Sequence, residues 1–312
     1  MALACHEASR VRQHKIGYTL WPASFELTEP GAFLDEALDE AECLGVDSVE
    51  IPLFCTRVIA DGRLLEPAVR EMERSTAGRR VAYSLHGMLS INLMDQAEHI
   101  PLHEQVARAN IELAARLGAP SLVLHCGLAD PEHGEPLDDA YARQRDSLSK
   151  LGDFAAQHDV LLCIENIWNF DGRETALPGR LAQELASLDH ASIRATVDFA
   201  HAALQCHLMG ADLIEEIRAL APFVHHIHLN DCYGSEKAVS IALPAEALAY
   251  GSGDLHLPIG WGNLPFERLL TEPAYPDIVL TLNQELHPTY WYALADDVTE
   301  IRRLVLLMAG SR

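Results

Sequence analysis

The sequence lacks an uninterrupted apolar run of about 18 residues, the length that a membrane-spanning helix needs. Its first 14 residues also lack the continuous apolar segment of a signal peptide. The seven cysteines are scattered, odd in number and without a CxxC pair, a pattern typical of reduced thiols. We therefore expect a cytoplasmic protein with no membrane segment, in which residues 1–14 form an N-terminal extension.

Basic residues are also scarce, since 23 lysines and arginines stand against 46 aspartates and glutamates, for a formal net charge of −23. A protein that binds duplex DNA normally presents a basic stripe to the phosphates. We therefore expect a small-molecule substrate and do not expect duplex DNA as a partner. The sequence carries no signal for or against a homo-oligomer, which barrels of the kind inferred below often form.

Three phosphate-binding or nucleophile signatures are missing as well, namely GxGxxG before a helix, GxxxxGK[ST] and GxSxG. A nucleotide-cradling loop and a serine nucleophile elbow are therefore unsupported. What the chain does contain is a regular alternation of short β-branched segments and helical segments. The predicted strands are 15–20, 48–54, 80–86, 121–126, 160–166, 193–199, 223–231 and 277–286.

Each predicted strand is followed by a segment with the composition or apolar spacing of a helix. The predicted helices are 33–45, 64–77, 104–119, 137–158, 179–189, 211–221, 264–271 and 290–309. Eight such β-α units in about 300 residues predict a single (β/α)8 TIM barrel over residues 15–312. A doubly wound sheet is the alternative, and we disfavour it because an open sheet usually has fewer units.

Carboxylates and imidazoles stand near the ends of seven consecutive predicted strands. They are Glu50, His86, His125, Glu165, Asp198, His228 and Glu285, with His201 three residues after Asp198. The active site of such a barrel lies at the carboxyl ends of its strands, so we expect these side chains to converge. Imidazoles and carboxylates without a thiolate pair suit Zn²⁺, Mn²⁺, Co²⁺ or Fe²⁺ at an enzymatic site. The loop GSGDLHLPIG (251–260) opens onto the same rim and adds Asp254 and His256.

Several motifs resemble those of the xylose-isomerase-like TIM-barrel superfamily, which includes sugar isomerases, epimerases and the endonuclease IV branch. They are SLHGMLSINLMD (84–95), LVLHCG (122–127), CIEN (163–166), VDFAH (197–201), HIHLND (226–231), DLHLPIGWGN (254–263) and TLNQEL (281–286). The resemblance implies one to three divalent metal ions per chain. It implies His86, His125 and Glu165 around one ion, Glu165, Asp198, His228 and Glu285 around a second, and His201, Asp254 and His256 around a third.

The number of ions separates two chemistries, because the nine groups carry a charge of about −4 without metal, −2 with one divalent ion and +2 with three. Three ions imply hydrolysis of a small phosphorylated or polar substrate, with Glu165 as a bridge and Glu285 orienting the attacking water. One ion implies a sugar or keto-acid isomerase or epimerase, in which Glu165 and Glu285 form the acid–base pair. We take the hydrolase as the leading interpretation, the isomerase as the alternative and a non-catalytic ligand-binding barrel as a third option.

Other residues have less certain roles. Arg173, Trp168 and Glu50 are candidate substrate-binding residues, and Glu50 in GVDSVEIP is more like the isomerase and epimerase members. Asn230 and Asp231 either bind substrate or cap the turn after the seventh strand. The loop after strand two offers only Arg57 and Arg63 as basic residues, which argues against DNA cleavage.

Overall fold

The computed structural model describes residues 14–21 and 30–310 of the 312-residue chain. Eight parallel strands close into a barrel in the order β1-β8-β7-β6-β5-β4-β3-β2. These strands are β1 (Lys15–Thr19), β2 (Ser48–Pro52), β3 (Ala82–His86), β4 (Ser121–His125), β5 (Leu161–Glu165), β6 (Ile193–Asp198), β7 (Val224–Leu229) and β8 (Thr281–Gln284). A two-stranded antiparallel hairpin, Ile59–Ala60 with Arg63–Leu64, lies outside the barrel.

Helices pack around this barrel between its strands. They are α1 (Pro30–Leu44), α2 (Glu66–Thr76), α3 (Ile100–Arg116), α4 (Leu137–Gln157), α5 (Pro178–Leu188), α6 (Phe199–Met209), α7 (Leu213–Leu220), α8 (Pro244–Tyr250), α9 (Phe266–Thr271) and α10 (Leu294–Gly310). Strands covered by helices on the outside and packed side chains within are buried on both faces, as β2 is at every position. The predicted (β/α)8 barrel is therefore confirmed.

Each of the eight predicted strand segments contains one barrel strand, and the observed strands are shorter at one or both ends. Helix α6 was not predicted, because its first eight residues are all buried and it therefore lacks an amphipathic period. The predicted strand 193–199 runs one residue into this helix, because Asp198 both ends β6 and caps α6. Helix α8, within the long segment after β7, was also not predicted.

The predicted extension, residues 1–14, lies outside the described residues except for His14. The side chain of His14 is buried, and its Nδ1 accepts a hydrogen bond of 3.1 Å from the backbone N–H of Leu280. Within residues 14–21 and 30–310, no helix is both long enough and apolar enough to cross a bilayer.

The strand register brings the polar strand ends to one level of the barrel. His125 at the end of β4 pairs with Glu165 at the end of β5, and Asp198 at the end of β6 pairs with His228 in β7. Parallel strands in register present equivalent positions side by side. The barrel backbone therefore sets the relative height of these side chains, independently of the loops above them.

Candidate metal centre

Four side chains converge at the carboxyl end of the barrel, and we call them the floor cluster: Glu165, Asp198, His228 and Glu285. Each offers a potential ligand atom, and these atoms all lie within 4.8 Å of one another. Glu165, Asp198 and His228 are inaccessible to solvent, while Glu285, directly after β8, is 5% exposed. Three carboxylates held this closely in a buried site need positive charge among them. The donor set therefore fits a divalent cation.

Glu165 lies at the centre of the site, between two pairs of imidazoles. Its Oε2 is 3.2 Å from His86 Nε2 and 3.5 Å from His125 Nε2. Its Oε1 is 3.2 Å from both His201 Nδ1 and His228 Nδ1. Burial opposes ionisation of this carboxyl, yet His228 and the neighbouring imidazoles hold its pKa well below the usual range. Each carboxylate oxygen thus faces a different pair of imidazoles, and because His201 Nδ1 also donates to the Asn166 carbonyl, His228 Nδ1 is the ligand atom beside Oε1.

A third group, which we call the loop cluster, consists of His201, Asp254 and His256. Asp254 Oδ2 lies 3.4 Å from His201 Nε2 and 2.7 Å from His256 Nε2. Burial disfavours the His256 imidazolium, but the Asp254 carboxylate outweighs it and raises the pKa of His256 to about 10. Asp254 and His256 both come from the loop after α8, whereas His201 lies in the first turn of α6. The structure thus brings together all nine residues that the sequence assigned to metal.

Backbone carbonyls orient three of the imidazoles. His86 Nδ1 donates to Gly87 O at 3.1 Å, His201 Nδ1 to Asn166 O at 3.1 Å, and His256 Nδ1 to Glu285 O at 2.8 Å. A carbonyl oxygen only accepts, so the proton is fixed on Nδ1 and Nε2 is directed toward the carboxylates. A hydrogen bond on the far nitrogen is the usual support of a metal-binding histidine.

His125 and His228 complete the imidazole set in different ways. Burial, together with the neighbouring imidazoles, lowers the pKa of His125 to about 3, which leaves a neutral ring able to act as a ligand. His228 faces Glu165 through Nδ1, and its Nε2 lies 3.1 Å from Glu50 Oε1. Burial opposes a charged His228, but Glu285, Glu50 and Glu165 raise its pKa well above the usual value. In the absence of a cation, protons on such imidazoles balance the buried carboxylates.

Glu50 supports His228 from below instead of facing the cavity. It is fully buried and receives hydrogen bonds from Thr19 Oγ1 at 3.1 Å and Ser84 Oγ at 3.4 Å. His226 Nε2, on the same inward face of β7 as His228, lies 3.2 Å from Glu50 Oε2. The side chain that the sequence suggested for substrate binding is therefore placed beneath the floor cluster, away from the cavity wall.

Two asparagines that follow strand ends hold Asp198. Asn230 donates from Nδ2 to Asp198 Oδ2 at 2.8 Å, and Asn166 exchanges hydrogen bonds with the Asp198 backbone at 2.9 and 3.0 Å. The backbone N–H of His201 donates to Asp198 Oδ1 at 2.7 Å. Burial still raises the pKa of Asp198 to about 6. The sequence analysis gave no role to Asn166, although its position directly after Glu165 in CIEN was a usable signal.

Asp231 holds the loop that carries Asp254 and His256. Its Oδ2 accepts hydrogen bonds from the backbone N–H groups of Gly260 (2.8 Å) and Gly262 (2.9 Å), and its Oδ1 accepts from Cys232 (2.9 Å) and Leu264 (3.2 Å). A Cβ at position 262 would overlap Asp231 Oδ1 and the Cys232 carbonyl, so only glycine permits this approach. Of the two roles left open by the sequence, the geometry therefore supports capping for Asp231.

A cavity of about 570 Å³ opens above these clusters. Glu285 and the loop cluster contribute to its base together with His86 and His125, whereas the other three members of the floor cluster lie below the surface. Trp168 and Arg173 line the wall, as the sequence analysis suggested for substrate-binding residues. Trp168 packs against His201, with ring centroids 4.7 Å apart and the ring planes inclined by 36°, and donates from Nε1 to Glu236 at 3.0 Å.

The sequence and the fold resemble known proteins. A family model described as xylose isomerase-like TIM barrel matches residues 38–299. The uncharacterized protein MJ1311 of Methanocaldococcus jannaschii is 22% identical over 182 residues, which is 57% of this chain and 56% of that relative. The chain thus spans little more than half the length of this curated relative.

Two solved structures show the same fold at low sequence identity. A D-tagatose 3-epimerase-like protein superposes with a TM-score of 0.69 at 19% identity, covering 95% of this chain and 98% of that one. The IolI protein, solved with a bound zinc atom, superposes with a TM-score of 0.65 at 13% identity, again covering 95% and 98%. Together with the family match over most of the sequence, these findings confirm the predicted resemblance. The chain belongs to the xylose isomerase-like TIM barrel family.

Proposed function

We propose that this protein is a metal-dependent isomerase or epimerase that acts on a sugar or a related hydroxy-carbonyl compound. The observation that carries the proposal is the floor cluster, in which Glu165, Asp198, His228 and Glu285 offer ligand atoms within 4.8 Å of one another at the carboxyl end of the barrel. The epimerase-like and zinc-binding structures of the same fold support it. This proposal gives the isomerase interpretation precedence over the hydrolase that the sequence analysis preferred.

The residues of the floor cluster have unequal access to a substrate. A divalent cation held by these four residues would polarise a carbonyl group of the substrate. Glu285 is the carboxylate of the proposed acid–base pair that lines the cavity, so we assign to it the removal of a proton from the adjacent carbon. Glu165 lies beneath, among the imidazoles, and we propose that it holds the cation and serves as the partner in proton return. Arg173 and Trp168 on the wall would contact the remainder of the substrate.

Solvent isotope exchange tests this proposal directly. The protein loaded with Mn²⁺, Co²⁺ or Zn²⁺ is incubated in D₂O with a panel of ketohexoses and 2-keto acids, and proton NMR follows the carbon next to the carbonyl. We expect deuterium at that carbon for at least one compound. The Glu285→Gln variant should slow exchange by about 10²-fold or more, whereas Glu112→Gln, a change on an exposed helix face, should not. Absence of exchange across the panel with fully loaded protein would refute the proposal.

A second candidate function, metal-dependent hydrolysis, is favoured by one specific observation. The two oxygens of Glu165 face separate imidazole pairs, and the loop cluster provides three further donors nearby. A centre with several cations would attract an anionic ester and activate water for attack on it. Metal analysis after purification without chelator, combined with hydrolysis of bis(p-nitrophenyl) phosphate, separates the two functions. Near three ions per chain with ester turnover would favour hydrolysis, and near one ion without turnover would exclude it.

A further inference from the structure

We infer that the substrate carries an uncharged apolar substituent, aromatic or branched aliphatic, attached to the polar head that the metal centre takes. This inference rests on the proposed function for the position of the head. It names the chemical class of the rest of the molecule, which would occupy the outer part of the cavity.

Two aromatic pairs extend from the imidazoles of the centre toward the mouth of the cavity. On one side, Phe54 lies 5.2 Å from His86 and 5.6 Å from Trp21 between ring centroids. On the other side, Trp168 lies 4.7 Å from His201 and 5.0 Å from Phe170. All four aromatic residues line the cavity. A ligand that leaves the metal centre therefore passes between two aromatic walls.

Aliphatic side chains fill most of the remaining wall, namely Leu89, Ile91, Leu128 and Ile167. Leu89 is 48% exposed and Phe170 is 39% exposed, so apolar surface is left facing the cavity instead of being packed in the core. Apolar surface arranged as one concave wall usually marks a binding site.

Asn92, Asp95 and His103 of the outer cavity are committed to the protein itself, and Ser90 and Arg173 supply the remaining polar side chains there. Asn92 accepts from the backbone N–H groups of Met94 and Leu128 and donates to Leu128 O. His103 uses both ring nitrogens, one on the Asn92 N–H and the other on Asp95. A bare sugar would bury distal hydroxyl groups that find few partners here, which is unfavourable for each hydroxyl.

The charge and the size of the cavity also favour an uncharged substituent on the substrate. Among residues 14–21 and 30–310, Arg173 is the only lysine or arginine that lines it, whereas Asp95, Asp254 and Glu285 contribute carboxylates, so a phosphorylated tail is poorly matched. The volume of about 570 Å³ corresponds to roughly 19 waters at about 30 Å³ each, more than the about twelve non-hydrogen atoms of a hexose require. The cavity thus has room for a second ring beside a monosaccharide-sized head.

Metal-binding probes of graded polarity test this inference. Acetohydroxamate, 4-phenylbutanohydroxamate and gluconohydroxamate are titrated into the metal-loaded protein by calorimetry. We expect the phenyl probe to bind about 30-fold or more tightly than acetohydroxamate, since each buried methylene contributes roughly fourfold. The Phe170→Ser variant should reduce this ratio by about threefold to tenfold. Leu208→Ser, which removes an exposed apolar side chain that does not line the cavity, should leave it unchanged.

The outcomes distinguish this inference from the proposed function. If the phenyl probe binds less than about threefold more tightly than acetohydroxamate, the gain is smaller than one buried methylene contributes, and the inference is overturned. Tighter binding of the polyol probe would overturn it as well. Both results would leave the metal centre intact. If no hydroxamate binds, the metal centre and the proposed function fail, and 4-phenylbutanol, which needs no metal, decides the inference. Saturable binding of that alcohol, weakened by Phe170→Ser, upholds it, and absence of binding overturns it.

Discussion

The floor cluster and the loop cluster contain the same kinds of side chain but are built by different means. Glu165, Asp198 and His228 are positioned by barrel strands in register, and they are fully buried. Asp254 and His256 stand on a loop whose strand-like pairing, within the described residues, is limited to a single bridge between Leu257 and Asp231, so it relies otherwise on contacts made by other residues. Strand ends therefore fix a site through the backbone, while a loop-borne site depends on dedicated hydrogen bonds.

The loop cluster shows the consequences of that dependence. His256 adopts φ of 45°, a left-handed conformation that residues other than glycine adopt in only a few per cent of cases. The conformation is held by two hydrogen bonds, from His256 Nδ1 to Glu285 O and from the His287 N–H to His256 O at 3.0 Å. Asp231 fixes the same loop from its other end through three backbone N–H groups, those of Gly260, Gly262 and Leu264. Hydrogen bonds to Asp231 thus position the loop cluster, whereas strand register positions the floor cluster.

The largest expected effect comes from Glu165, which contacts His228 of the floor cluster and His201 of the loop cluster through the same oxygen. Glu165→Gln removes the negative charge that faces four imidazoles, those of His86, His125, His201 and His228. It should therefore weaken metal binding at both clusters. We expect metal content to fall and isotope exchange to drop by about 10²–10⁴-fold. Metal analysis and the NMR assay measure this, with Glu112→Gln as the matched exposed control. Retention of full metal content would show that Glu165 does not join the two sites.

The next prediction breaks the loop cluster selectively. Asp231→Asn replaces one of two oxygens that accept from N–H groups with an NH2 group that cannot accept, so we expect a loss of about 2–4 kcal/mol in the free energy of unfolding. Metal bound at the loop cluster should be lost first, and metal at the floor cluster should remain. Urea denaturation and metal titration measure the two effects. Asp212→Asn at the exposed N-terminus of α7 is the control, because asparagine caps a helix as well as aspartate. Equal loss from both clusters would contradict the comparison.

The reciprocal prediction weakens the floor cluster alone. Glu50→Gln keeps the shape of the side chain but removes the negative charge that faces His228 Nε2. The change should lower metal affinity at the floor cluster by about 10–100-fold. Ser84→Ala removes one hydroxyl hydrogen bond to Glu50 but keeps the Glu50 charge, so it should have a smaller effect in the same direction. Competition with a metal-binding dye measures both variants. Unchanged affinity in Glu50→Gln would assign Glu50 to packing alone.

The same difference explains what could be predicted from the sequence. Glu165, Asp198 and Glu285 follow from strand pattern and from the rule that barrel sites lie at strand ends. Asp254 and His256 could be noticed as an Asp-x-His pair in a loop that opens onto the same rim, but their grouping with His201 came from the resemblance, because periodicity says nothing about an irregular loop. Alternation along a strand shows that Glu50 points inward but not how high it lies, and its position in the middle of β2 places it below the cavity. Helix α6 was missed because a fully buried helix has no polar face to reveal its period.

The smallest expected effect concerns the residue that joins the two regions. Asp297 in α10 accepts from the Ile259 N–H of the loop at 2.9 Å and from Gln284 Nε2 of β8 at 2.6 Å. Burial, followed by the nearby carboxylates Asp231, Asp296 and Glu300, raises the pKa of Asp297 to about 7. The folded state therefore holds a proton that the unfolded state releases above about pH 4. The stability contributed by this proton is complete below about pH 4 and is lost as the pH rises to about 7.

We therefore expect the free energy of unfolding to fall by up to about 1 kcal/mol per pH unit across this window because of Asp297. Asp297→Asn cannot ionise and should flatten that part of the profile, as measured by urea denaturation between pH 4.5 and 7.5. Asp296→Asn, a neighbouring exposed change, should keep the slope. Because Asp297 contacts both the loop and β8, metal affinity at the loop cluster should also vary less with pH in the Asp297→Asn variant. An unaltered slope in Asp297→Asn would mean that Asp297 is ionised when folded and that the loop is tied to the barrel by a charged group.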